Sequence, residues 1–319
     1  MKYFYLFIVC LLFSVQAMAG SSADSRIFVT NEHSNTISVI DGKTNQVEAT
    51  IDVGKRPRGI GLSPDKSELY VALGDEDAIA VVDPVSLKVL RKFHAGSDPE
   101  AFAVHPETGY LYISNEDDAK ASAYDPKTGK KVFEIPVGLE PEGVAVSPDG
   151  SRVIVTSEST NMLHVISVPD HKIINNILVP ARPRSVTFTR NGKIAYATAE
   201  IGGDVIKVDV EAGKILKENP VGGEKAKPKD VLLSKDEKTL YVAGGRANKV
   251  FVLDSDTLDL ITSIPVGKRV WGLAMTTDGK RIYTTDGVSG TVSVIDTEKN
   301  EKIATIQVGK FPWGVVVYD

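Results

Sequence analysis

The sequence predicts an all-β chain, a seven-bladed β-propeller of four-stranded antiparallel blades, with the ring closed by a C-terminal strand that completes the N-terminal blade. Three observations predict it: a repeat of 42 to 45 residues present seven times, four short strand-like runs within each repeat, and chain ends that complement one another.

The repeat carries three markers. An aspartate closes a β-rich run at Asp41, Asp83, Asp125, Asp209, Asp254 and Asp296, and Ser167 occupies the midpoint of the one double interval. A second run centres on Phe28, Tyr70, Tyr112, Ile154, Tyr196, Tyr241 and Tyr283. The third marker is a Val-Gly step and a Pro-x-Gly-like turn: VGKRPRG, AGSDPEA, VGLEPEG, VPARPRS, VGGEKAKPKD, VGKRVWG and VGKFPWG, with a three-residue insertion between Gly222 and Lys229. Over residues 141–179, GVAVS, RVIVT, LHVIS and KIINNILV read as four strands by their alternation and β-branched content, and SPDG reads as a turn. The first repeat begins at its second strand, Arg26-Ile27-Phe28, and PWGVVVYD (312–319) is a first strand with nothing after it. Pairing the two closes the ring and removes exposed edges. The repeated aspartates fit a structural role, a side-chain oxygen accepting backbone N–H groups of the next turn.

The N-terminus reads as a secretory signal. Lys2 gives a positive start, Tyr3 to Val15 an apolar run too short to span a membrane, and Ala17-Met18-Ala19 a cleavage site. The expectation is a signal peptide over 1–19, a single propeller domain over 20–319, a periplasmic location, and no membrane span in the mature chain. The only cysteine, Cys10, lies in the apolar run, which excludes disulfides, thiolate catalysis and Cys-ligated metal in the mature chain. Removing Lys2 leaves 36 Lys+Arg against 42 Asp+Glu, a formal charge of −6. A mildly acidic chain of mixed sign is a poor match to a phosphate backbone, so no nucleic-acid partner is expected.

Function is expected where the blades differ. In a propeller the loops joining fourth to first strands sit at the mouth of the central channel, so the residues just before the first strands form a ring: Arg58, Glu100, Glu142, Arg184, Lys229, Trp271 and Trp313. Two residues earlier stand Arg56, Asp98, Glu140, Arg182, Lys227, Arg269 and Phe311. The second-to-third-strand loops share this face and place Glu32, Glu116, Glu158 and Glu200 at equivalent positions, with Asp117 and Asp118 following Glu116. These residues suit either a binding mouth, with carboxylates for a cation and tryptophans for a planar group, or a self-neutralising network of ion pairs. Among the histidines only His33 neighbours the mouth acids; His105 and His171 fall in turns and His164 in a strand. No G-x-S-x-G, Walker A, dinucleotide or D-x-D-x-D-G motif is present, so no catalytic residue is assigned.

LYVALGDEDAIAVVD and the repeated PxG-V-A-V-SPDG resemble the YVTN-type β-propeller repeat family over the whole mature chain. RPRGIGLSPD, DPEAFAVHP, YISNEDD, PEGVAVSPDG, TSESTNMLH, AEIGGDV, GRANKVFVLD, VGKRVWGLA and FPWGVVVYD further resemble, blade by blade, the propellers associated with PQQ-dependent catabolism. Ser167 and the AKASAYD strand depart from the pattern. The resemblance implies a periplasmic, non-enzymatic accessory protein of alcohol oxidation, partnered by a quinoprotein dehydrogenase or a cytochrome c. A small ligand or PQQ would meet Arg58 and Arg184 through its carboxylates and Trp271 or Trp313 through its rings. One alternative is a propeller lyase or lactonase, with His33 and Glu32 or Glu158 holding a divalent cation. The other is a general envelope protein-interaction module.

Overall fold

The computed structural model describes residues 25–223 and 225–319, so residues 1–19, expected to be a signal peptide, lie outside the described part. Seven four-stranded antiparallel sheets form the blades of a propeller. Blade 1 comprises Arg26–Asn31, Thr36–Asp41 and Gln46–Asp52, and its inner strand is the C-terminal Pro312–Tyr318. Phe28 pairs with Val316 and Arg26 with Tyr318, so the chain ends close the ring as the sequence predicts. Blade 4 runs Pro141–Val146, Arg152–Ser157, Met162–Ser167 and Ile173–Leu178, matching the four strands read from the repeat. The other inner strands are Pro57–Leu62, Pro99–Val104, Pro183–Phe188, Pro228–Leu233 and Val270–Met275. Among the described residues no helix is long and apolar enough to cross a membrane.

The markers have the roles their chemistry suggests. Phe28, Tyr70, Tyr112, Ile154, Tyr196, Tyr241 and Tyr283 are all buried, each on the second strand of its blade and packed against neighbouring sheets. Asp41 accepts the N–H groups of Lys43 and Thr44, Asp83 those of Val85 and Ser86, and Asp254 those of Asp256 and Thr257. These turn bonds hold the three carboxyls below the ordinary aspartate range.

One device recurs at the channel in every blade. In blade 4, Pro141 pairs with Ser157 and Val144 with Val155, so Glu142 and Gly143 together oppose only Thr156. That is a β-bulge, and it falls at the same place in all seven inner strands. The second member of each bulge pair is small, Gly59, Ala101, Gly143, Ser185, Gly272 and Gly314, with Asp230 the exception. Crowding explains this: a Cβ on Gly143 would stand 2.1 Å from the Arg184 carbonyl oxygen, and one on Gly314 2.5 Å from that of Arg58.

The bulge frees a backbone N–H, and a hydroxyl on the second strand satisfies it. Gly143 N–H donates to Thr156 Oγ1 at 2.8 Å, and Thr156 donates to the Arg184 carbonyl of the next blade at 3.1 Å. Thr30, Ser114, Thr198 and Thr285 do the same, whereas Ala72 and Ala243 occupy this position in blades 2 and 6. These hydroxyls latch five of the seven blades to the next one directly beneath the mouth. Thr156→Val keeps the shape and orphans a buried donor and a buried acceptor, so it is expected to lower unfolding stability by about 1–3 kcal/mol. An unchanged urea midpoint would refute the latch.

Candidate functional site

The mouth loops are tied by a repeated backbone lattice. Arg56, Asp98, Glu140, Arg182, Lys227, Arg269 and Phe311 all adopt left-handed φ between 43° and 65°. Non-glycine residues rarely do so, and glycine would adopt it without cost. The chain instead places six charged side chains and one aromatic in this conformation at the mouth. Local bonds hold them there: the N–H groups of Arg56, Arg182 and Arg269 donate to Asn35, Asn161 and Asn248. The carbonyls of Phe311, Asp98, Glu140 and Arg182 accept the N–H groups of Glu32, Glu116, Glu158 and Glu200, so these four glutamates occupy equivalent places.

The acids and bases of the ring meet in two clusters. Around blades 1 to 3, Arg56 bonds Glu100 at 2.7 Å and also Asp98, while Arg58 bonds Glu32 at 3.0 Å and also Glu100. Around blades 4 to 6, Arg184 bridges Glu142 at 2.6 Å and Glu158, with Arg182 also on Glu158 at 2.6 Å. Lys229 Nζ stands 2.5 Å from Glu200 Oε2. Glu100, Glu142, Glu158, Arg184, Glu200 and Lys229 are all buried. The network reading of the mouth is thus the one these geometries support. Although burial opposes it, Lys229 and Arg184 hold the Glu200 carboxyl below its usual range. Burial, reinforced by Glu142, pushes the Glu116 carboxyl up.

The tryptophans, on blades 7 and 1, sit between the two clusters. Trp271 and Trp313 stack with centroids 6.4 Å apart and planes 27° apart. Their faces already carry cations: Lys229 at 4.2 Å, Arg269 at 5.0 Å and Arg184 at 5.5 Å from the Trp271 centroid, and Arg58 at 5.8 Å from that of Trp313. Below them the channel holds a cavity of about 180 Å³, lined by Glu142, Arg184, Lys229, Asp230, Trp271 and Trp313 among others. Asp230 accepts from Ser185 Oγ at 2.6 Å and from Leu273 N at 2.8 Å, bridging blades 5 and 7, and burial pushes its carboxyl up. The sequence reading passed over Asp230; its signal is that it alone is ionisable among the seven small positions.

The whole described chain also matches a family model, a YNCE-like β-propeller, over residues 6–319. The chain belongs to that family. Solved structures share the fold with this YNCE-like propeller. Hydrazine synthase of Kuenenia stuttgartiensis is 21% identical with a TM-score of 0.75, covering 82% of this chain and 89% of that one. A functionally unknown protein from Desulfotomaculum acetoxidans is 16% identical with a TM-score of 0.80, over 92% and 98% of the two chains. A provisionally assigned 6-phosphogluconolactonase from Bacteroides fragilis is 17% identical with a TM-score of 0.80, over 93% and 98%. No curated protein matches the chain.

Three histidines of the YNCE-like propeller, His33, His105 and His164, are engaged within the fold. His33 stacks on Phe311 at 4.1 Å, its neighbour Glu32 bonds Arg58, and Glu158 bonds Arg182 and Arg184 in the other cluster. Among the described residues, the group with metal-like spacing is Asp98, Glu100 and Glu116, two of which Arg56 already holds. His105 accepts the N–H groups of Glu107 and Thr108 through Nδ1 and meets the Gly150 carbonyl through Nε2. His164 Nε2 accepts from Gly138 N–H at 2.9 Å, and its Nδ1–H therefore donates to Asn176 Oδ1 at 2.6 Å. This is a neutral imidazole, and burial depresses its pKa. The unfolded chain binds this proton near pH 6.5 and the folded chain only lower, so stability present above about pH 6.5 is lost as pH falls through the folded value. His164→Gln is expected to be less stable at pH 7.5 yet to lose less stability than wild type between pH 7.5 and 5. Parallel urea-midpoint curves for the two proteins would refute this.

Proposed function

We propose that this YNCE-like propeller is an exported, periplasmic, non-enzymatic accessory protein of PQQ-dependent alcohol oxidation, docking a quinoprotein dehydrogenase or its cytochrome c on the mouth face. The blade-by-blade motif resemblance supplies the pathway. The observation that carries the docking face is its combination of rigidity with exposed apolar tips. Charged groups lock the mouth loops, and around them Leu139, Ile201 and Val288 stand 59%, 55% and 57% exposed on three separate loops, with Phe311 on a fourth. A preorganised surface with apolar anchors suits a protein partner, because little entropy is lost on docking.

The guanidinium groups of Arg58 and Arg184 that would meet the carboxylates of PQQ are already bonded to glutamates. The quinone is therefore assigned to the partner.

The experiment is affinity capture of tagged mature protein from periplasm of alcohol-grown cells, read by mass spectrometry. The variant is Leu139→Asp/Ile201→Asp/Val288→Asp, whose sites are solvent-exposed, so its melting temperature should stay within a few degrees of wild type. Enrichment of a quinoprotein dehydrogenase or cytochrome c by wild type, reduced at least about tenfold in the variant (about 1.4 kcal/mol in binding), is expected. Equal recovery by both proteins, or no such partner with wild type, would overturn the proposal.

A further inference from the structure

We infer that Lys229 is the amine of a carbonyl-capturing site, forming a reversible imine with a small aldehyde or ketone held in the channel cavity. Lys229 is 4% exposed and lines the cavity, 4.2 Å over Trp271. One partner, Glu200, lies within hydrogen-bond reach of its nitrogen. The neighbouring Asp230 is engaged by Ser185 and Leu273, and so does not pair with it. Burial, with the like charge of Arg184 alongside, pushes the amine down to about 7, against the pull of Glu200 and Glu142. A desolvated lysine beside a second cation is a recurrent way to obtain a nucleophilic amine near neutral pH. The cavity of roughly 180 Å³ suits a small carbonyl compound.

The chemistry balances within these groups. The amine nitrogen adds to the carbonyl carbon, and the Glu200 carboxylate takes the proton released from nitrogen. It returns that proton to the alkoxide, giving the carbinolamine, and then carries the second N–H proton to the hydroxyl, which leaves as water while the C=N bond forms. No oxidant or reductant is consumed, and hydrolysis reverses the step.

Departures from the repeat gather at this spot. The three-residue insertion precedes Lys229, Asp230 replaces a small residue beside it, and Ala243 replaces the latch hydroxyl on the same blade.

The test uses the purified mature protein alone, so it is independent of partner docking: benzaldehyde with cyanoborohydride at pH 7, followed by peptide mass mapping of N-benzyl lysine. The exposed Lys225, Lys268 and Lys310 serve as internal references. Lys229 is expected to be labelled at least about tenfold faster than these, whose amines stand in water with no cavity to hold the aldehyde beside them. The preference should vanish in urea, where the cavity is gone. Labelling of Lys229 no faster than the references, or a preference that survives unfolding, would overturn the inference.

Discussion

The close approach of seven inner strands at the channel axis governs everything above it. Backbones come so near that a single Cβ at Gly143 or Gly314 would strike the next blade's carbonyl. The chain answers with a bulge pair in each inner strand, one residue small and the other displaced toward the mouth. The bulge would leave an unpaired N–H, and the second-strand hydroxyl supplies its partner while bonding the adjacent blade. Ring closure, inter-blade stiffness and the position of the mouth side chains are thus one solution to one steric problem. The mouth ring of residues 58, 100, 142, 184, 229, 271 and 313 is the outward member of each bulge pair, which is why it is free to vary between blades.

What fills that ring is electrostatically demanding. Burying a guanidinium such as Arg184 is costly unless acceptors surround it, and here Glu142 and Glu158 do so. Removing one member would leave the others charged and desolvated, so the mouth resists piecemeal change. Such networks add little net stability compared with an apolar core and are better explained by the fixed arrangement they impose. That arrangement carries loops held in left-handed turns, at a cost glycine would have avoided. Rigidity with exposed tips is the property a docking surface needs.

Much of this was legible in the sequence. The seven Phe, Tyr and Ile positions, the turn aspartates, the closing strand PWGVVVYD and the four equivalent glutamates follow from spacing alone, since a closed ring of identical units turns sequence period into spatial equivalence. A network of ion pairs was legible at the mouth, but its individual partners were not visible along any one blade. Arg58 with Glu100, and Arg184 with Glu142, are neighbours around the ring, 42 positions apart in the chain. The latch threonines were hidden because a hydroxyl in a strand is unremarkable until its bulge partner is known. The cations over the tryptophans were hidden for a related reason. Nothing local says that Lys229, Arg184 and Arg58 turn inward over their faces.

Blade 6 shows where such a regular chain tolerates irregularity. Its loop carries the insertion before Lys229, its inner strand replaces glycine or alanine by Asp230, and its second strand has Ala243 where five other blades have a hydroxyl. Asp230 restores part of what Ala243 forfeits, since its carboxylate crosses to Leu273 of blade 7 and accepts from Ser185 of blade 5. The blade therefore remains stitched to both neighbours, but by an ionisable group that faces the cavity in place of a neutral latch on the far side of the strand. A repeat protein that breaks its own pattern three times within one blade, and repairs the damage with a carboxylate, has exchanged regular packing for polar chemistry at the channel wall.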